Sequence, residues 1–480
     1  MPAAAEQVQH FPLFIAGRPV TTESELVVRL PFDSTPVGVT YNAGEREVAA
    51  ALEAAAAASG AMRKLSAAER SALLYKAWQL LGENQAEMAQ VLMSETGKPI
   101  REARGEVGRA METLLLSAEE ARRLHGEVVP IEGALAAKGR MAMTVREPLG
   151  VIAAITPFNV PLTLAMHKVA PALAAGNTVV HKPASATPLS ASRLAAIFQQ
   201  AGLPAGAYNV VAGPGRIVGD RLVEDRRVRM ISFTGSVEVG SRIRDRAGMK
   251  RVTLELGGNA GVIVEPDGYD DSLIPRCVTA AFAHSGQVCI SLQRAYVHET
   301  VYDRFVDEFT RATARLKIGH PAAEDTDISS LITEGEARRV EQWIQEALEA
   351  GAQLLIGGRR TNATIEPTVL AEAPASVSCS CKEVFGPVVV LYRYRELEEA
   401  IGRANDSAYG LQAGIYTRDL GKAFRAARQL QVGGVMINDV PMFRVDIMPY
   451  GGMKLSGMGR EGPRYAIEEM TEPKLICWKV

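Results

Sequence analysis

The chain has only five cysteines in 480 residues, at positions 277, 289, 379, 381 and 477, and no CxxC pair. No cysteine–histidine spacing matches a zinc site, so no metal is expected. An odd number at irregular spacings gives no disulfide framework, which points to a reducing, cytoplasmic compartment. An excess of charge is also missing: 53 Lys and Arg against 55 Asp and Glu leave a net charge of −2. Without a basic run or an acidic tail, neither nucleic acid nor a membrane surface is expected as a partner. The first residues lack a basic segment followed by an apolar one, so no signal peptide is expected. One uncharged run, PLGVIAAITPFNVPLTLAM at 148–166, is barely long enough to span a bilayer, and Pro157, Asn159 and Pro161 interrupt it. It reads instead as a buried strand, a turn and the start of a helix.

What is present fits a globular protein of two or three domains, since 480 residues exceed one core and 47% are hydrophobic. Alanine-rich helical periodicity runs from residue 45 to about 124. Short β-rich runs then alternate with helical segments: VIAAITPF, NTVVHKP, AYNVVAG, RMISFTG, RVTLELGG and GVIVEPD. That alternation predicts parallel sheets built from βαβ units. After residue 291 it resumes with AYVHE, QLLIGG, VVVLYRY, GLQAGIYT and GGVMIND, enough for a second α/β sheet. Residues 125–146 are expected to form a two-stranded arm. The final KLICWKV is a strand with nothing after it to pair with, which predicts a homo-oligomer, dimer or tetramer.

A GxGxxG turn is missing. Gly213-Pro-Gly215 followed by Gly219 has one residue too many and a proline in the tight turn, so it reads as a simple strand–helix connection. FTGSVEVG at 233–240 is the better phosphate cradle, because free N–H groups and the Thr234 and Ser236 hydroxyls meet at a helix start. Any Ser/Thr cap looks similar. HKPAS at 181–185 puts Lys182 at the carboxyl end of a parallel strand, where open α/β sheets bind ligands. In GQVCIS at 286–291, Cys289 is either an apolar filler or a nucleophile.

TPFNVP (156–161), HKPAS, ELGG (255–258), GQVCIS, EVFGP (383–387) and PYGGMKLSGMGREG (449–462), in that order, resemble the aldehyde dehydrogenase superfamily over nearly the whole chain. The 34-residue step from Glu255 to Cys289 matches the family interval. FRVDIMPYGG (443–452) and GQVCIS resemble its lactaldehyde and succinate-semialdehyde dehydrogenase-like branch. The resemblance implies an α/β fold with a Rossmann-like cofactor domain (1–124 and 147–254), an α/β catalytic domain (255–456) and a small β oligomerisation arm with the C-terminal strand (125–146 and 457–480).

The implied reaction is NAD(P)-dependent oxidation of an aldehyde to the carboxylic acid. The Cys289 thiolate adds to the carbonyl, the thiohemiacetal expels hydride, and the thioester is hydrolysed. Asn159 and the Cys289 N–H would hold the oxyanion, Glu255 would activate water, and Lys168 would lie nearby. Read alone, Asn159 could merely shape a turn and Glu255 could be a solvated charge. Gly257 and Gly258 are expected to leave the Glu255 carboxylate room. Thr156, Pro157, Phe158, Lys182, Ser185, Phe233, Thr234, Gly235, Ser236, Leu256, Gly257, Glu383 and Phe385 would line the cofactor. Phe158 replaces a frequent tryptophan. Ser185 stands where many NAD-preferring members have a glutamate that repels a 2′-phosphate, so NADP is expected to be accepted as well as NAD.

Substrate candidates are Arg109, Val160, Leu164, His167, Val288, Ile290 and Arg444. The two arginines could clamp an anionic tail, or pair with internal carboxylates such as Glu106 or Asp446. The expected substrate is a short hydroxylated or anionic aldehyde: lactaldehyde, succinate semialdehyde, or a phosphonate or phosphate aldehyde. Three alternatives stand beside this: a CoA-acylating semialdehyde dehydrogenase, a thiol hydrolase using His284, and a catalytically silent structural relative. Glu255 argues against the first, the cofactor motifs against the second, and the retained Cys289, Glu255 and Asn159 against the third.

Overall fold

The computed structural model describes residues 8–480. Helical periodicity between 45 and 121 resolves into four helices, Glu45–Lys64, Ala67–Glu83, Gln85–Thr96 and Ile100–Ala121. Their starts follow local chemistry. Ser66 and Glu69 form a reciprocal cap, with Glu69 Oε2 accepting from the Ser66 N–H at 2.7 Å and Ser66 Oγ accepting from the Glu69 N–H at 3.2 Å. Small buried residues on Ile100–Ala121 (Ala103, Ala110, Ala118, Ala121) let it pack closely on the wholly buried helix Pro161–Ala174. That helix carries Asn159 at its entrance.

The first sheet runs, edge to edge, Arg18–Val20, Leu13–Ile15, Tyr208–Val210, Thr178–Lys182, Val151–Ile155, Val228–Thr234, Arg251–Glu255 and Gly457–Met458. Its five central strands are parallel. In chain order they read 3-2-1-4-5, so the order reverses between Val151–Ile155 and Val228–Thr234. A ligand crevice opens outside the carboxyl ends at such a point. Thr156, Lys182, Gly235 and Glu255 all fall at that rim.

The second sheet runs Gln353–Ile356, Thr368–Ala371, Val388–Tyr394, Leu292–His298, Ala260–Val264, Gln412–Tyr416 and Gly434–Ile437. Only its first pair is antiparallel. Both sheets are covered on both faces, which explains their unbroken apolar strands.

Two expectations about the C-terminal part are corrected. The arm does not begin at 457: Gly457 and Met458 pair with Glu255 and Leu254 in the first sheet, and helix Pro463–Glu469 packs on Ile100–Ala121 and Pro161–Ala174. Nor is the last strand unpaired, because Thr471–Lys479 runs antiparallel to Arg140–Pro148, completing a three-stranded arm with Val128–Val129. Among the described residues its outer edge, Thr471–Lys479, has no further partner; Leu475, Ile476 and Trp478 on that strand and Met141 and Met143 on the central one are exposed. No helix among the described residues is long and apolar enough to cross a membrane.

Candidate active site

The Cys289 loop is held in a strained form. His284 and Ser285 have φ of +47° and +53°, and Gly286 follows at +73°. Three left-handed residues in a row cost free energy that the surroundings must supply. A Cβ on Gly286 would strike the Gly386 carbonyl, so glycine is required there. The strain is opposed by specific bonds: Glu102 accepts from the His284 N–H at 3.0 Å, and Ser285 donates to the Ser329 carbonyl at 3.0 Å. The buried Gln287 side chain accepts from the Ile332 N–H at 2.9 Å. Cys289 then emerges half-buried against Ile290, Leu411, Tyr450, Val288 and Met442. Its backbone N–H takes no hydrogen-bond partner among the described residues. His284 makes no bond to the sulfur, and both its ring nitrogens are buried without partners, so no thiol–imidazole pair forms.

Asn159 lies beside this loop. Its Nδ2 donates to the Gln287 carbonyl at 2.8 Å, which orients the amide and leaves a second N–H unused. Its own carbonyl accepts from Lys98 Nζ at 2.7 Å. Lys98 is also paired with Glu106, both side chains being almost wholly buried. Glu106 accepts in turn from the Leu162 N–H at 2.8 Å, at the start of helix Pro161–Ala174. Val160 caps that helix and Leu164 is buried one turn on.

Glu255 ends its strand buried, with neither carboxylate oxygen hydrogen-bonded among the described residues. The expected room from its two glycines is not what those glycines provide. Gly257 clears the Glu383 carboxyl and Gly258 clears the Cys289 carbonyl, whereas a Cβ on Gly451 would sit 2.9 Å from Glu255 Oε1. Burial, reinforced by Glu461, pushes the Glu255 carboxyl well above the usual range, and Arg444, Lys168 and Arg460 offset this only in part. Burial would also raise Glu461. However, Lys168, His167 and Arg444 outweigh it and hold that carboxyl well below the usual range. Lys168 Nζ donates to Glu461 at 2.9 Å and Arg444 Nη2 at 3.1 Å. The cations thus favour the charged form of Glu461, while burial favours the protonated form of Glu255.

The arginines meet Asp446 rather than Glu106. Arg109 lies 3.1 Å from Asp446, which also accepts from Thr113 at 2.9 Å and faces His167 Nε2 at 3.1 Å. Arg444 is buried 3.8 Å from Asp446, and its Nε has no hydrogen bond. Its guanidinium stacks 3.7 Å from the Tyr450 ring centroid.

At the rim of the first sheet, Ser236 caps helix Val237–Arg246, and Thr234 Oγ1 is buried without a partner. Phe233 packs against Gly235, and Leu256 against Gly240. Lys182 Nζ donates only to the Pro183 carbonyl, at 3.0 Å, and burial lowers its ammonium to about 8. Ser185 donates to the Gly213 carbonyl at 3.0 Å. Thr156, with Pro157 after it, bonds His181 at 2.9 Å across adjacent strand ends. Glu383 accepts from the Gly258 N–H at 2.9 Å, and burial raises its carboxyl to about 7. Phe158 and Phe385 meet edge to face at 5.7 Å.

The fold and this set of side chains define the class first: an α/β oxidoreductase of two largely parallel sheets, with a half-buried cysteine and a ligand crevice at the carboxyl ends of the first sheet's strands. The chain belongs to the aldehyde dehydrogenase family, whose model matches residues 19–476. Its reaction is the NAD(P)-dependent oxidation of an aldehyde to the acid. It is 46% identical over 471 residues to a 3-sulfolactaldehyde dehydrogenase of Priestia aryabhattai, covering 98% of each chain. Among solved structures it is similar to aldehyde dehydrogenase 21 from Physcomitrella patens in complex with the reaction product succinate (TM-score 0.96, 41% identity, 98% of each chain). It is also similar to a glyceraldehyde-3-phosphate dehydrogenase of Methanocaldococcus jannaschii complexed with NADP (TM-score 0.91, 37% identity, 96% of this chain and 100% of that one).

Sequence reasoning missed Tyr450 and Glu461 as members of the site, although both sit in the quoted PYGGMKLSGMGREG motif. It missed Lys98, for which the local sequence offers no signal. Replacing Lys98 with methionine leaves Glu106 charged and unpaired in the interior. The variant is expected to lose about 3–5 kcal/mol of stability, read as a lowered urea midpoint; an unchanged midpoint would show that the pair is not structural.

Proposed function

We propose that Cys289 is the nucleophile, Asn159 and the Cys289 N–H the oxyanion donors, and Glu255 the base. One observation carries the reading: the loop bearing the sulfur, the amide bonded two residues before it and an unpartnered carboxylate converge in one buried space. Addition of the thiolate moves charge onto the carbonyl oxygen, where the spare Asn159 N–H and the free backbone N–H can receive it. When bound, the nicotinamide supplies the acceptor for the hydrogen leaving the thiohemiacetal carbon. The thioester is then opened by water, whose proton goes to Glu255 as the sulfur leaves the carbonyl. Because burial raises Glu255, the base is uncharged at low pH and the hydrolytic step is expected to speed up as pH rises.

For the cofactor, the orphan Thr234 hydroxyl and the helix start at Ser236 fit a pyrophosphate. Lys182 and Ser185 fit the adenosine ribose, Glu383 the other ribose, and Phe158 with Phe385 the ring wall; Leu256 and Gly257 line the connection. No carboxylate stands at Ser185, which supports acceptance of NADP beside NAD.

The substrate is proposed to be a short aldehyde with an anionic or hydroxylated tail. Arg444 supports this, since it is buried near the sulfur with donor capacity that Asp446, Glu461 and His167 do not exhaust. Arg109, half exposed on its helix, and His167 would stand beside the tail, with Val160, Leu164, Val288 and Ile290 as the apolar wall. The 3-sulfolactaldehyde and succinate named for the relatives are short anions of this kind. The free edge and exposed apolar side chains of the arm support a homo-oligomer, dimer or tetramer, and the free cysteines support a cytoplasmic setting.

Cys289→Ala is expected to lower aldehyde oxidation about 10⁴-fold or more while circular dichroism stays unchanged; parental turnover would end this reading. Arg444→Leu should raise KM for succinate semialdehyde about 10- to 100-fold, the worth of one charge-assisted hydrogen bond, and change that for propanal much less. Equal effects on both would remove the clamp. Introducing a carboxylate with Ser185→Glu should shift the kcat/KM ratio towards NAD by about 10²-fold or more, and an unaltered ratio would dissociate position 185 from cofactor choice.

A further inference from the structure

Tyr450 is buried, and its hydroxyl lies 3.0 Å from Cys289 Sγ. Two features hold it there. Its ring packs with Ile290 and Leu411, and the buried Arg444 guanidinium covers one face of the ring at 3.7 Å. With a neutral thiol the two groups share one hydrogen, and either can donate. Once the thiol ionises, sulfur can only accept, and the phenol becomes the donor. A cation over the ring also favours an electron-poor phenol, which is a stronger O–H donor.

We propose that Tyr450 is a catalytic residue whose O–H donates to the Cys289 thiolate and sustains the reactive form of the nucleophile inside the buried site. The inference rests on Cys289 being the nucleophile and goes beyond it by assigning what keeps that sulfur ionised.

The surrounding charges show why a donor is needed. Although Cys289 is not fully closed off, burial around its sulfur pushes the thiol up to about 11. The Tyr450 bond and Arg444 lower it, while Glu383 and Glu255 raise it. Arg444 lies over the Tyr450 ring and pairs with Glu461, whereas the phenol touches the sulfur directly. Burial first, and then the neighbouring thiol, hold the Tyr450 hydroxyl far above the ordinary phenol range, so it keeps its proton as a donor must.

Tyr450→Phe removes one oxygen and keeps the ring under Arg444. The test is the rate of Cys289 alkylation by iodoacetamide against pH in both proteins. It is read on the Cys289 peptide by mass spectrometry, because the partly exposed Cys381 and the exposed Cys477 would also react. The midpoint of the profile is expected to rise by about one pH unit in the variant, with alkylation below the midpoint about tenfold slower. Aldehyde turnover should fall on the acid side and recover at high pH, with KM for the aldehyde nearly unchanged. A merely structural role would lower turnover without moving the midpoint. An unchanged midpoint in a folded Tyr450→Phe overturns the assignment while leaving the nucleophile in place. Retained turnover in Cys289→Ala, by contrast, overturns the reading beneath it.

Discussion

Glu255 ends a strand with both carboxylate oxygens buried and unbonded, next to a second buried carboxylate, Glu461, which keeps its charge because Lys168 and Arg444 face it. The rest of the site depends on this division. Two neighbouring buried carboxylates cannot both ionise cheaply, so the cations beside Glu461 favour its charge and burial favours a proton on Glu255. A carboxyl group with a raised pKa and nothing to hold it in place can exchange protons with a water molecule. A paired one cannot do so without breaking the pair. One of these cations reaches further: Arg444 spans Glu461, Asp446 and the Tyr450 ring, whose hydroxyl meets the Cys289 sulfur.

The second constraint is mechanical. Consecutive left-handed residues at 284–286 turn the chain between helix Leu273–Phe282 and Cys289, and Phe385, itself at φ +49°, meets Phe158 edge to face. Gly286 seats against Gly386, so the cysteine loop packs directly on the chain that follows Glu383–Phe385. Strain of this kind persists only where neighbouring bonds over-determine it. Glu102, Ser329 and Ile332 supply those bonds from outside the loop. The sulfur-bearing loop, Glu383 and the Phe158–Phe385 pair are therefore held by segments that pack against one another.

Much of the fold was legible in the sequence. Unbroken apolar runs with helical spacers gave two parallel sheets, because a strand buried on both faces has no polar side to alternate with. The candidate groups were legible as motifs: Glu255 and Lys182 end strands, Asn159 stands just before a helix, and Cys289 lies in the loop before a strand. Their partners were not. Lys98 lies 61 residues from Asn159, and Asp446 lies 337 residues from Arg109, separations at which no periodicity speaks. The last strand was misread as unpaired because antiparallel pairing with residues 140–148 depends on how the whole chain folds back. The glycines after Glu255 were correctly seen as spacers, but for Glu383 and Cys289 rather than for the carboxylate that precedes them.

By itself, then, the sequence determined which element types form and where reactive groups fall at their ends, because hydrophobic period and local capping act over a few residues. Only the tertiary structure decided which carboxylate is charged, which arginine is spoken for and which phenol meets the sulfur. Those outcomes depend on burial and on distances between side chains brought together from opposite parts of the chain.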